Sequence, residues 1–151
     1  MCRLPFAAVS NHHRTMPSLK QVGALPLRKA PKNTIEVLLV SSRDTGRWVI
    51  PKGWPSKRMT DSAAAAREAR QEAGVTGKIA KEPYGSYRYR KIEKENVRLI
   101  EVTVYLLWVK KEKKQWKEKA QRNRVWFDIE TASRKVREPK LRALILALAD
   151  A

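Results

Sequence analysis

The spacing of apolar and polar residues along the chain separates strands from helices. Residues 21–28 read as a short strand, and Pro26, which has no amide hydrogen to give a ladder, places it at a sheet edge. Pro31-Lys32-Asn33 is a turn. The compact apolar run at 35–40, rich in β-branched residues, predicts a buried strand. Asp44-Thr45-Gly46 turns the chain into a second short strand, Trp48-Val49-Ile50, stopped by Pro51. A loop over 51–59 follows. Thr60 or Asp61 then caps a helix running to about Ala73, and Gly74 supplies the left-handed residue at its end.

Residues 75–80 read as a strand, and 84–92 alternate aromatic with basic residues, the period of a half-exposed strand. A hairpin turn at 93–96 joins it to a long strand over 97–109. Residues 110–119 form a charged loop, read as solvated and mobile. A last short strand covers 125–127. Helices are expected at 130–136 and 139–148, the second with a stripe of Leu141, Leu144, Ile145 and Leu148. Strands around one early helix, with two helices at the end, place the chain in the α/β class: a mixed sheet with helices on its faces.

A chain of 151 residues is long enough for one domain with its own core. The one cysteine, Cys2, has no intramolecular partner, which excludes a disulfide framework and points to a reducing cytoplasm. No apolar run approaches the roughly 20 residues that span a bilayer. Pro5, Asn11, His12 and His13 interrupt the continuous apolar centre that a signal peptide needs. We therefore expect a flexible extension over 1–19, with Met16 as a candidate start, ahead of a single domain over 20–151. Nothing in the pattern fixes an oligomeric state.

Charge narrows the partners. Lysine and arginine total 33 against 15 acidic residues, a net of +18. Such an excess favours polyanions: nucleic acid, a membrane surface, or polyphosphorylated small molecules.

The early helix carries the candidate chemistry. At 100° per residue, Ala66, Ala69 and Ala73 share one face, where small side chains let a helix lie close to a sheet. Glu68 and Glu72 fall nearly opposite and are expected to point together into open space, their Cβ atoms roughly 5–6 Å apart. Like charges at that spacing repel, and Glu72 lies in the last turn, where the helix dipole disfavours an anion. A hard cation between the carboxylates converts repulsion into binding. Mg²⁺ suits the position, because it takes oxygen ligands, keeps several waters and shares its shell with phosphate oxygens.

An isolated pair of this kind is usually just solvated, but here it is embedded in more. Gly53 precedes Arg67 by fourteen residues, and the stretch closes as Arg67-Glu68-Ala69-Arg70-Gln71-Glu72-Ala73-Gly74-Val75. This resembles the Nudix box, in which a glycine and a variable loop lead to Arg-Glu-apolar-x-Glu-Glu-x-Gly-apolar. Two positions depart from it: Met59 stands where the family usually has its first glutamate, and Gln71 replaces the first of the terminal pair. The resemblance runs from about residue 21 to the C-terminus. Residues 36–43, 47–53 and Trp126-Phe127 resemble the diphosphoinositol polyphosphate phosphohydrolase branch, although Lys52 and Trp54 stand where that branch often has glycine.

The resemblance implies a Nudix-type α/β/α sandwich that hydrolyses a phosphoanhydride with Mg²⁺ or Mn²⁺. It implies Glu68 and Glu72 as catalytic metal ligands and Gln71 as a supporting ligand that brings an oxygen but no charge, hence weaker metal affinity. Glu68 is the first choice of general base and Glu101 an alternative. Arg28, Ser41, Ser42, Arg43, Lys52 and Gly53 fall where the branch binds substrate. Trp54 either narrows that pocket or covers the sheet. Tyr87, Arg88, Tyr89 and Arg90 invite a nucleic-acid reading, but a two-faced strand explains them better, tyrosines on one side and arginines on the other. The expected substrates are diphosphoinositol or dinucleoside polyphosphates. The alternatives are a 5′-end RNA pyrophosphohydrolase and a catalytically weak polyanion-binding module.

Overall fold

The computed structural model describes residues 19–150. The extension expected over 1–19, with His12, His13 and Met16, lies outside the described residues except for Leu19, which opens the first strand. The strands are β1 (Leu19–Ala30), β2 (Thr34–Ser41), β3 (Trp48–Val49), β4 (Lys52–Gly53), β5 (Val75–Ile79), β6 (Gly85–Glu93), β7 (Asn96–Glu112) and β8 (Arg124–Asp128). The helices are α1 (Asp61–Ala73), α2 (Ile129–Lys135) and α3 (Pro139–Ala147). All eight strands join one mixed sheet with the central order β3-β2-β1-β7-β5, in which β4 pairs with β1, β6 with β7 and β8 with β2. Only β1 and β7 run parallel among these pairs. No helix among the described residues is long and apolar enough to cross a membrane.

Two cores flank the sheet. On one face Ala64, Ala65, Ala69 and Ala73 of α1 pack against Val22, Ala24, Leu38 and Val40. On the other, Ala132, Val136, Leu141 and Ile145 from the C-terminal helices cover Leu25, Leu27, Val37, Leu39 and Tyr87. The expected sandwich of helices about a mixed sheet is what the chain forms.

One strand was misplaced by its proline. Pro26 predicts an edge, yet β1 lies at the centre of the sheet, pairing with β7 throughout residues 19–27. On its other side β1 pairs with β4 at Val22 and Gly23, then with β2 from Leu27 to Ala30. Pro26 falls in the gap between those two ladders, so its missing N–H deprives no neighbour of a bond. A second difference is length. β7 runs to Glu112, so Lys110 and Lys111 belong to a strand and not to the expected loop.

The ends of α1 are fixed by specific bonds. Thr60 caps its start, its hydroxyl accepting from the Ala63 amide at 3.2 Å. Gly74 closes it at φ 67°, its N–H returning to the carbonyls of Ala69 and Arg70. A side chain at Gly74 would also meet the Trp116 ring, whose Cδ2 lies 2.6 Å from an added Cβ. We expect Gly74→Ala to lower stability by about 1–3 kcal/mol, combining left-handed strain with that overlap. Urea denaturation of the two proteins checks this; an unchanged midpoint would mean that Trp116 moves aside at no cost.

Candidate active site

The buried arc of α1 is wider than the helical wheel predicts. It takes in Glu72, which is only 5% exposed, while Ala66 sits at its margin. Glu72 therefore points into protein, not into open space. Glu68, one turn earlier, lies against Gly53: any Cβ there would overlap the Glu68 carboxyl. Gly53 is held by the short β4 ladder to Val22 and Gly23, a strand inside what reads from sequence as a loop. The glycine lets the two segments approach closely enough for the carboxyl to lie on bare backbone.

These groups line a cavity of about 580 Å³. Eight basic side chains line it against five acidic ones, so it favours anions overall. Ser42, Arg43, Lys52, Gly53, Glu68 and Glu72 all reach it, as expected. Trp54 lines it too. Tyr87 is buried and Tyr89 half-buried on the wall, with Arg88 and Arg90 exposed, the alternation that a two-faced strand predicts. The Tyr89 hydroxyl donates to Gln21 Oε1 at 2.8 Å, and Lys52 Nζ sits 4.7 Å from the Tyr89 ring centroid.

Four expected residues lie elsewhere. Arg28 stacks 4.2 Å over Trp126 and pairs with Glu36 at 2.7 Å, so it braces the sheet. Ser41 faces away, its hydroxyl accepting from the Asn123 amide at 2.8 Å. Glu101 pairs with Lys20 at 2.8 Å and is absent from the cavity lining, which removes it as a base there. Gln71, expected as a supporting ligand, lines a separate depression with Arg70, Lys113, Gln115, Trp116 and Lys117. Met59, the other departure from the motif, is half-buried against the α1 core.

Two residues that the sequence left unmarked complete the site. Glu118 and Arg122 come from the segment between β7 and β8. Arg122 donates from Nε to Glu118 Oε1 at 2.8 Å and from Nη1 to the Ser41 carbonyl at 3.1 Å. Its Nη2 lies 3.7 Å from Glu72 Oε1. The backbone of this segment is tied down, contrary to the mobile reading. Lys113 N–H donates to Gly74 O at 2.8 Å, Glu118 N–H to Gln71 O at 3.1 Å, and Trp116 Nε1 to Glu72 O at 3.1 Å. The only sequence hint was Trp116, an aromatic residue set among lysines.

The electrostatics centre on Glu72. Burial pushes its carboxyl from the ordinary 4.5 up to about 8; Arg122 and Lys52 oppose that, while Glu68 adds to it. Beyond Arg122, its Oε1 accepts a backbone N–H from Lys52 at 3.3 Å. Burial also pulls the Lys52 ammonium below its usual range, against the pull of Glu72. A carboxylate buried beside a second one, with a cation no closer than 3.7 Å, is under-compensated. A divalent ion would supply the missing charge. No group of three or more histidine, cysteine or acidic side chains converges among the described residues. Two carboxylates with waters and substrate oxygens suit Mg²⁺ or Mn²⁺ better than a cation needing an all-protein cage.

Comparison with known proteins gives the family and the fold. The NUDIX domain model matches residues 18–148. Nudix hydrolase 16, mitochondrial, of Arabidopsis thaliana is 36% identical over 70% of this chain and 60% of its own. Diphosphoinositol polyphosphate phosphohydrolase 3-beta of Bos taurus is 36% identical over 64% of this chain and 57% of its own. The chain thus spans less than two thirds of the length of either relative. In structure, an Ap4A hydrolase of C. elegans superposes with a TM-score of 0.64 at 21% identity, covering 87% of this chain and 96% of that one. At that identity it speaks to fold alone.

The raised Glu72 carboxyl gives a signed prediction. The folded state holds a proton that the unfolded state releases, so the stabilisation is complete below 4.5 and is lost as pH rises through about 8. In EDTA, the wild type should lose stability from about pH 5 to about pH 9 relative to Glu72→Gln. Urea midpoints across that range test it; parallel pH profiles for the two proteins would contradict the placement.

Proposed function

The chain belongs to the Nudix family, and we propose that it hydrolyses a phosphoanhydride bond in a polyphosphorylated small molecule, with Mg²⁺ or Mn²⁺ held by Glu68 and Glu72. One observation carries the proposal: two adjacent carboxylates, one of them buried, open into the same basic cavity. A bound divalent ion would neutralise phosphate oxygens and make a coordinated water more acidic. The protein's own groups do the rest. Lys52, Arg90, Lys91 and Arg137 line the cavity, and none of them is in an ion pair among the described residues, which leaves them available to phosphate. Arg122, held between Glu118 and Ser41 O, fixes a guanidinium beside the carboxylates, where it stabilises developing charge. Glu68 remains the first choice to accept the water proton, and Glu118 replaces Glu101 as the alternative.

The cavity volume and its excess of cations favour a compact, highly anionic substrate such as a diphosphoinositol or dinucleoside polyphosphate. The name of the Bos taurus phosphohydrolase supports the first of those two classes. With one cysteine in 151 residues, a reducing compartment such as the cytoplasm suits the chain.

Hydrolysis assays over a panel of diphosphoinositol and dinucleoside polyphosphates, with Mg²⁺ or Mn²⁺, test the reading. We expect metal-dependent release of phosphate or a mononucleotide, and a loss of more than about 100-fold in kcat/KM for Glu72→Gln. Polyphosphate binding with no turnover, unchanged by that substitution, would favour the binding-module alternative.

A further inference from the structure

The cavity contains one ion pair that hydrolysis of the phosphoanhydride does not use. Glu138 stands just before α3, yet its carboxyl does not cap that helix. It faces Arg47, the residue before β3, with Oε2 3.7 Å from Nη1. At that separation the two attract but share no hydrogen bond. The Glu138 side chain is only 11% exposed, and Arg47 Nη1 is buried with no hydrogen-bond partner among the described residues. Both residues line the cavity. The other paired carboxylates there face different arginines: Glu68 faces Arg67, Glu72 faces Arg122, and Glu118 faces Arg122 and Arg43. Burial lifts the Tyr87 hydroxyl well above its ordinary range, and the Glu138 charge adds to that lift.

A buried N–H without an acceptor costs free energy until water or a ligand supplies one. Here the acceptor meets a second demand, because a carboxylate lies beside the N–H. A phosphoryl group offers only acceptors, and bonding Arg47 would press its charge against Glu138. A neutral group with an acceptor and a donor side by side satisfies both partners, accepting from Arg47 and donating to Glu138. The pair also carries no net charge, unlike Lys52, Arg90, Lys91 and Arg137, the cations left for phosphate. A ring phosphorylated at every position has no such neutral edge to offer. A nucleoside has two, the ribose diol and the base. Trp54 and Ile92, 46% and 74% exposed, add apolar surface to the same lining, and an indole face suits a base better than a phosphorylated ring.

We propose that Glu138 and Arg47 select the nucleoside portion of the substrate, so that the cavity takes a nucleoside polyphosphate in preference to a diphosphoinositol polyphosphate. The selection rests on the hydrolytic reading of the same cavity, but it is a property of binding and is measured without turnover.

Isothermal titration calorimetry of the full chain with Mg²⁺ tests it. One probe is α,β-methylene adenosine 5′-diphosphate, whose bridging carbon resists hydrolysis; the other is inositol hexakisphosphate, which has no phosphoanhydride. The wild type should bind the nucleotide analogue more tightly. Glu138→Gln and, separately, Glu138→Ala should weaken the analogue and tighten inositol hexakisphosphate, each by about 5-fold or more. A pair that only braces the fold would move both ligands in the same direction or neither. The 2′,3′-dideoxy form of the analogue locates the contact. Affinity equal to the parent places the base edge against the pair, and a loss as large as that in Glu138→Ala places the ribose there. The proposal is overturned if the wild type binds inositol hexakisphosphate as tightly as the analogue or more so, or if neither variant shifts the two ligands in opposite directions. Opposite shifts in a chain that hydrolyses no polyphosphate would keep the selection and remove the hydrolytic reading. Hydrolysis without those shifts would do the reverse.

Discussion

The distance between α1 and the sheet governs the rest of the structure. Ala64, Ala65, Ala69 and Ala73 are fully buried, and at these four positions the helix presents only methyl groups to the side chains of the strands beneath it. At that distance the Glu68 carboxyl reaches the bare backbone of Gly53, and Glu72 becomes part of the interior. A larger residue at any of the four alanines would lift the helix, and so would a side chain at position 53. The chemistry follows from packing: a helix held close to its sheet carries two like charges into a confined space.

That placement is locally unfavourable, and the surroundings compensate only in part. Burial drives Glu72 toward its neutral form, Arg122 and Lys52 pull the other way, and Glu68 sides with burial. The fold accepts the cost because α1 is fixed at both ends. Thr60 caps its start, and Gly74, the Trp116 indole and the Arg124 guanidinium satisfy the carbonyls at its end, the last donating to Ala73 O at 2.8 Å. The same clamps hold the segment that brings Glu118 and Arg122 to the cavity. One cluster of bonds thus supports both the helix and its charge partners.

Much of this was legible in the sequence because it is local. The caps of α1, the left-handed Gly74, the hairpin before β7 and the amphipathic stripe of α3 each follow from a few neighbouring residues. The spacing of a long motif marked Gly53 and Glu68 as parts of one site, while their close approach is visible only in the fold. What the sequence hid depends on tertiary context. Pro26 signals an edge, and only the change of partner from β4 to β2 explains a proline in a central strand. Lys114, Lys117 and Lys119 are exposed, as expected, but nothing local reveals that Trp116 anchors their segment to α1. Glu118 and Arg122 carry no motif.

The central claim is that Glu68 and Glu72 share one divalent ion. A crystal structure grown with Mn²⁺, with anomalous data collected at the manganese edge, tests it most directly. The account predicts one strong peak in the cavity, with an oxygen of each carboxylate at about 2.1 Å. A cavity without such a peak in crystals soaked to saturation, or a peak bound by neither carboxylate, would contradict it.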